Sequence, residues 1–357
     1  MRILFVSTST ALGGAERSLF YLAKGLKEQG HTVKVISVYP KGSVADELEK
    51  SGIETVALNE RYVPCVSTIF KLNKEIKKFK PDVVHAQLYR AVQMCRFLKN
   101  KSFKLITAPH TNYKAKSFFP LLLDKILAHN DDVSLSESIS TVHFLVDKQK
   151  YKKDKIFLLL NEPEPKYKEN AALRAAARKE LKAGDKTIFI CVARLSKEKG
   201  QRYLLEAFQK VRAENEKTAL WLVGDGPEEE NLKNLNCPGV EFLGVKNNVE
   251  KYLNGADVFV LPSLSESRPI ALLEALNCGL PAVATGIGDN GSIYVHGKTG
   301  FICRPKDAVL LACFLREMCL KDVREKFKKE ILNGRETVSN RYCDAYLGVV
   351  GKMASQK

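Results

Sequence analysis

The stretch DVFVLPSLSESRPIALLEALNCGLPAVAT, residues 257–285, changes periodicity twice in one short span. Val258–Leu261 is a continuous apolar run closed by Pro262, the pattern of a strand buried on both faces. Ser265–Arg268 then reads as a loop, and Pro269 as the first position of a helix, where its missing N–H costs nothing. Ile270, Leu273, Ala275 and Leu276 give that helix an apolar character, and residues 281–285 form a second buried strand. A strand, a crossover helix and a further buried strand make one unit of a parallel sheet.

Outward from this unit the alternation continues in both directions. Strand patterns fall at 2–6, 32–38, 54–57, 82–85, 104–108, 132–135 and 155–160, with helical patterns between most of them. NEPEP at 161–165, with two prolines, interrupts the series, which restarts at 187–193, 219–224, 241–243, 257–261, 281–285 and 301–303. From about 308 to 353 the chain reads as helical throughout. The expected fold class is therefore α/β, with two doubly wound Rossmann-like domains, 1–162 and 163–357, facing across a cleft. The helical C-terminus is expected to pack back toward the first domain. In such sheets a ligand binds outside the carboxyl ends of the strands.

A chain of 357 residues, 45% hydrophobic and 27% charged, suits two globular domains. No apolar run approaches the roughly 18 residues of a membrane-spanning helix. The opening MRILFVSTST reads as a buried strand and lacks a basic-then-apolar leader, so a cytoplasmic location is expected. Nine cysteines lie at irregular spacing with no Cys-x-x-Cys pair, which fits reduced thiols and no structural metal. The net charge of +16 is spread over both halves, against a single nucleic-acid-binding arm. Lysines do concentrate at 71–80 and 148–155, which could attract an anionic membrane surface at the inner face, or a polyanionic ligand.

Three constellations carry chemistry. Gly13-Gly14, between the first strand and first helix, would let backbone amides approach a phosphate; a tight turn explains them equally well. Arg194 and Lys199 lie in the loop after the strand at 187–193, where a guanidinium fork and an ammonium suit a diphosphate. Glu266 lies in the loop after Val258–Leu261, and Glu274 on the second turn of an apolar helix. A carboxylate there is costly unless hydrogen-bonded, and ribose hydroxyls are suitable donors.

Glu266-x7-Glu274, together with GGAER (13–17), VARLSKEKG (192–200), VGDGPE (223–228), NGADVFVLPS (254–263) and ALNCGLPAVAT (275–285), resembles the retaining glycosyltransferase family 4, the glycosyl transferases of group 1 with the GT-B fold. The pieces occur in the family's order and span residues 1 to about 305. The resemblance implies that Gly13 and Gly14 place amides at the donor phosphate and sugar. It further implies that Arg194 and Lys199 clamp the diphosphate, Glu274 holds the ribose and Glu266 contacts the donor sugar. His110, in APHTN, matches a position near the reacting sugar, whereas His85 reads as structural. Ser267-Arg268 stand where the family often has Gly-Phe, beside the transferred sugar, so the sugar is left open. Gly288–Ser292 replaces a Gly-Gly-x-x-Glu-like stretch, and Glu162 replaces a usual glycine.

The implied activity is transfer of a sugar from a UDP- or GDP-sugar to an acceptor hydroxyl with retention, without cofactor or metal. The acceptor would be a glycan or a lipid-linked glycan, in cell-surface glycan or lipid-linked oligosaccharide synthesis. Two alternatives use the same scaffold: a nucleotide-sugar 2-epimerase and a non-catalytic sugar-nucleotide-binding protein.

Overall fold

The computed structural model describes residues 1–11, 13–60, 66–109, 118–334 and 341–355. The chain divides between Asn161 and Glu162 into two compact units. The first holds a seven-stranded sheet, β1 (Arg2–Ser7), β2 (Thr32–Ser37), β3 (Glu54–Ala57), β4 (Val83–Gln87), β5 (Lys104–Ala108), β6 (Val133–Ser136) and β7 (Ile156–Leu158). Its helices are α1 (Gly14–Glu28), α2 (Ser43–Lys50), α3 (Val66–Phe79), α4 (Tyr89–Leu98), α5 (Phe118–Leu127) and α6 (Ile139–Asp147).

The second unit holds six strands, β8 (Thr187–Val192), β9 (Thr218–Val223), β10 (Val240–Gly244), β11 (Val258–Leu261), β12 (Ala282–Thr285) and β13 (Gly300–Cys303). Its helices are α7 (Ala171–Glu180), α8 (Gln201–Glu214), α9 (Glu229–Lys233), α10 (Val249–Gly255), α11 (Ile270–Asn277), α12 (Asn290–Ile293), α13 (Ala308–Glu317) and α14 (Lys321–Asn333). All strand pairs within both sheets are parallel. The thirteen strands fall within two residues of the runs read from the sequence; those such as β4, β9 and β11 are buried on both faces, which leaves no competing helical reading at that length.

Strand order is β3-β2-β1-β4-β5-β6-β7 in one sheet and β10-β9-β8-β11-β12-β13 in the other. The winding direction reverses between β1 and β4 and again between β8 and β11, and these switch points open crevices at the strands' carboxyl ends.

The stretch 308–353 is not one helical run. α13 ends at Glu317, and Leu320 is extended (φ −75°, ψ 120°) before α14 begins. The last helix, α15 (Arg341–Ser355), belongs to the first unit. Its Cys343, Tyr346, Val349 and Met353 share a core with Leu19, Leu22 and Leu26 of α1. The Tyr346 ring stacks on His85, 5.5 Å between centroids, so His85 is a core residue. Among the described residues no helix is long and apolar enough to cross a membrane.

Candidate functional site

The second sheet's switch point is built by three loops that touch. After β8 the chain makes a short 3-10 turn, Lys197–Lys199, and Gly200 caps α8 with φ +68°. A Cβ on Gly200 would lie 2.2 Å from the Pro262 carbonyl oxygen. Only glycine therefore allows the loop after β8 to lie against the chain leaving β11. Leu264 N–H donates to the Glu198 carbonyl (2.7 Å) and tightens the same contact. The loop after β12 closes from the other side: Gly288 has φ +53°, a Cβ there would lie 2.4 Å from the Glu266 carbonyl oxygen, and Asp289 N–H donates to Ser267 O (2.8 Å).

These contacts bring the charged residues together. Lys199 Nζ donates to Glu266 Oε1 at 2.6 Å, the two side chains being 24% and 9% exposed. Ser263 Oγ, fully buried, donates to the same oxygen at 2.8 Å. Thr285 Oγ1 in turn holds the Ser263 carbonyl (2.6 Å). Arg194 is exposed on the loop after β8, and its carbonyl accepts from Gln201 Nε2 of α8 (2.9 Å). Beneath them burial pushes the Cys191 thiol up to about 12, so it stays protonated and is no nucleophile.

Ser267 and Arg268 follow Glu266, partly exposed, on the edge of this loop. Pro269 is not the first helical residue: it is the N-cap of α11, in extended backbone (φ −72°, ψ 123°). The preceding loop, held by Gly288, leads the chain in extended, and the helix starts one residue later. Glu274 lies on the second turn of α11 and is buried, 7% exposed, among Leu272, Leu273 and Ala275.

In the first unit Gly13 caps α1 in extended backbone (φ −165°, ψ 167°) with no side-chain cap. Neither glycine of the pair has a positive φ, so no left-handed turn demands them. A Cβ on Gly14 would meet nothing within 4 Å, whereas one on Gly13 would lie 2.4 Å from Glu16 Oε2, so that carboxylate borders the start of α1. His110 lies outside the described residues.

The sequence reading missed Ser263, Gln201, Gly200 and Gly288. The first stands in the LPS piece and Gly200 ends VARLSKEKG, but what each touches comes from a distant segment.

Comparison with known proteins agrees with this architecture. Residues 173–333 match the family model Glycosyl transferases group 1, and residues 12–161 match Glycosyltransferase Family 4. An uncharacterized glycosyltransferase of Haemophilus influenzae is 28% identical over 84% of this chain and 84% of its own. The UDP-Gal:alpha-D-GlcNAc-diphosphoundecaprenol alpha-1,3-galactosyltransferase of Escherichia coli is 25% identical, covering 98% of this chain and 97% of its own. The crystal structure of Anabaena Alr3699/HepE in complex with UDP superposes with a TM-score of 0.85 at 20% identity, covering 99% of this chain and 100% of that one. The two family models together take in most of the residues and divide where the two units divide: the chain carries a Glycosyltransferase Family 4 domain followed by a Glycosyl transferases group 1 domain, on the GT-B fold.

Proposed function

We propose that the protein transfers a hexosyl group from a UDP- or GDP-sugar to an acceptor hydroxyl with retention at the anomeric carbon. The observation that carries this is the Lys199–Glu266 pair beside Arg194 at the second switch point. Lys199 and Arg194 are matched by two carboxylates, Glu266 and Glu198, and a diphosphate leaving group that gains negative charge competes with both for the cations. The donor's phosphate oxygens compete with Glu266 for Lys199, and Glu266, once released, faces the sugar. Glu274 on α11 accepts the ribose hydroxyls, while Ser267 and Arg268 border the sugar. Retention follows when the acceptor enters on the face the diphosphate leaves, with a diphosphate oxygen taking its proton.

The named activity of the Escherichia coli relative, and UDP in the Anabaena structure, support a uridine donor. That relative's acceptor supports a lipid-linked glycan. The test begins with thermal stabilisation by UDP and GDP, which ranks them by affinity. The preferred sugar nucleotide is then incubated with diphosphoundecaprenol-linked acceptors, and the product linkage is read by NMR. A new glycoside with the donor's anomeric configuration is expected. An inverted linkage, a 2-epimer or unchanged donor overturns the proposal.

A further inference from the structure

The second unit has a concave pocket at the amino ends of its strands, away from the Lys199–Glu266 pair. A cavity of about 550 Å³ lies beside the first turns of α7 and α14. Thr187, Asp257 and Pro281 line it, at or just before the first residues of β8, β11 and β12. Lys199 and Glu266 follow the other ends of β8 and β11. The 6 residues of β8, roughly 20 Å of strand, therefore separate the two places.

The wall of the cavity is fixed from behind. Arg174 donates to the Ala256 carbonyl (2.7 Å) and to Asp257 Oδ1 (2.7 Å). Arg178 donates to Asp257 Oδ2 (3.2 Å) and to the Gly184 carbonyl (2.8 Å). One carboxylate thus holds two guanidinium groups against the sheet.

The other carboxylates of the lining are also taken. Glu169 pairs with Lys328 (2.5 Å), and Glu325 with Lys321 (3.5 Å). Asp185 pairs with Lys217, which is not part of the cavity (3.1 Å). Lys186 and Arg324 line the same cavity, both half-buried, and no carboxylate among the described residues pairs with either. Arg324 Nη1 donates to the Met318 and Cys319 carbonyls (2.7 and 2.8 Å), which pins its guanidinium group. Among the described residues nothing accepts from its Nε or Nη2. Drawing cations out of water without a counter-charge is costly, and a concave site that keeps two of them suits an anion.

We infer that this pocket is a second anion site, which takes the phosphate of a small phosphate ester or free phosphate. The planar Nε–Nη2 edge of Arg324 fits two phosphate oxygens, and Lys186 adds a second charge within the same cavity. The site does not depend on the reaction proposed above.

The experiment is thermal unfolding of the full chain with sodium phosphate or glycerol 3-phosphate, against sodium chloride at equal ionic strength. Both anions should raise Tm, and the concentration dependence gives their affinities. Lys186→Gln and Arg324→Gln should each weaken binding about fivefold or more. The Lys186 side chain makes no bond among the described residues, so its variant keeps the fold and the test decisive. Lys210→Gln, the same charge change at an exposed position of α8, should leave the affinity unchanged. Phosphate can also enter the site near Lys199, so the titrations are repeated with Arg194→Ala and Lys199→Ala combined, where the stabilisation should persist. No stabilisation beyond chloride overturns the assignment, as does wild-type affinity in both Lys186→Gln and Arg324→Gln. Loss of the effect in the combined variant overturns it too, and places the phosphate at the first site. Tighter binding of glycerol 3-phosphate than of phosphate makes an ester the ligand, and the reverse order makes it the free anion.

Discussion

Lys199 Nζ and Glu266 Oε1 lie 2.6 Å apart although 67 residues separate them in the chain, and Ser263 Oγ holds the same carboxylate oxygen. The pair has two consequences that can be measured separately. Lys199→Ala removes a charge from the leaving-group side and leaves Glu266, only 9% exposed, without its cation. Turnover should fall by about 2–4 kcal/mol of barrier, by analogy with lost oxyanion donors, and Tm by a few degrees. Arg194→Ala, at an exposed position, should lose comparable turnover with Tm unchanged. Wild-type rates for Arg194→Ala at saturating donor would remove it from the clamp.

The two glutamates should separate in steady-state kinetics. Glu274 sits on a rigid helix away from the breaking bond, so Glu274→Gln should mainly raise the donor KM, by about 1.5–3 kcal/mol. Glu266→Gln should lower kcat more than it raises KM, since its contact strengthens as the sugar gains positive charge. Competition by the bare nucleoside diphosphate checks this. If Glu266→Gln abolishes nucleotide binding and Glu274→Gln spares it, the roles are reversed.

Gly200→Ala should loosen the site as well as the fold. Its φ of +68° strains an alanine by about 1–2 kcal/mol, and a Cβ 2.2 Å from Pro262 O forces the loops after β8 and β11 apart. Gly184→Ala is the control: φ +56° with nothing within 4 Å of the Cβ, hence strain alone. Denaturant unfolding and donor titration of both variants check the difference. Equal donor affinity in both would show that the loop contact does not shape the site.

Arg96→Leu should cost about 3–5 kcal/mol, because Asp124 and Asp131 stay buried without their cation. Burial already pushes the Asp131 carboxyl up, and contact with Arg96 opposes it. Without Arg96 its folded pKa rises further above the unfolded value. Such a group contributes stability below the unfolded pKa that is lost as pH rises through the folded one. The variant's deficit should therefore grow from acid to neutral pH, read from unfolding curves across that range; a deficit independent of pH would contradict it.

Activity should survive EDTA. The sequence has no Asp-x-Asp pair, and no group of three His, Cys, Asp or Glu gathers among the described residues. Complete loss of turnover, restored by Mn²⁺, would place a cation in the reaction.

Much of the fold could be read from residue order. Val258–Leu261, Pro262, the Ser-rich loop and the apolar helix announce a parallel strand–helix unit, and the other strands repeat that signal. Arg194, Lys199, Glu266 and Glu274 stood out as charges at strand ends or inside an apolar helix. Ser263 did not, because a serine after a strand has no local mark to set it apart. Pro269 was misplaced by one residue because Gly288, from another loop, sets how the chain enters α11.

Where strands and helices alternate follows from residue order alone, since side-chain period and Gly or Pro interruptions act over a few residues. Which charges meet was set by tertiary packing. Lys199 finds Glu266 across 67 residues, and Ser18 finds Asn161 across 143. It likewise decided that α15 returns to the core of the first unit and that Leu122, Leu123 and Ile126 face outward. The amphipathic period of a helix states that it has two faces. Which face is buried is chosen by its partners, and for α5 the buried Arg96–Asp124 pair outweighs three leucine-type side chains left in the open.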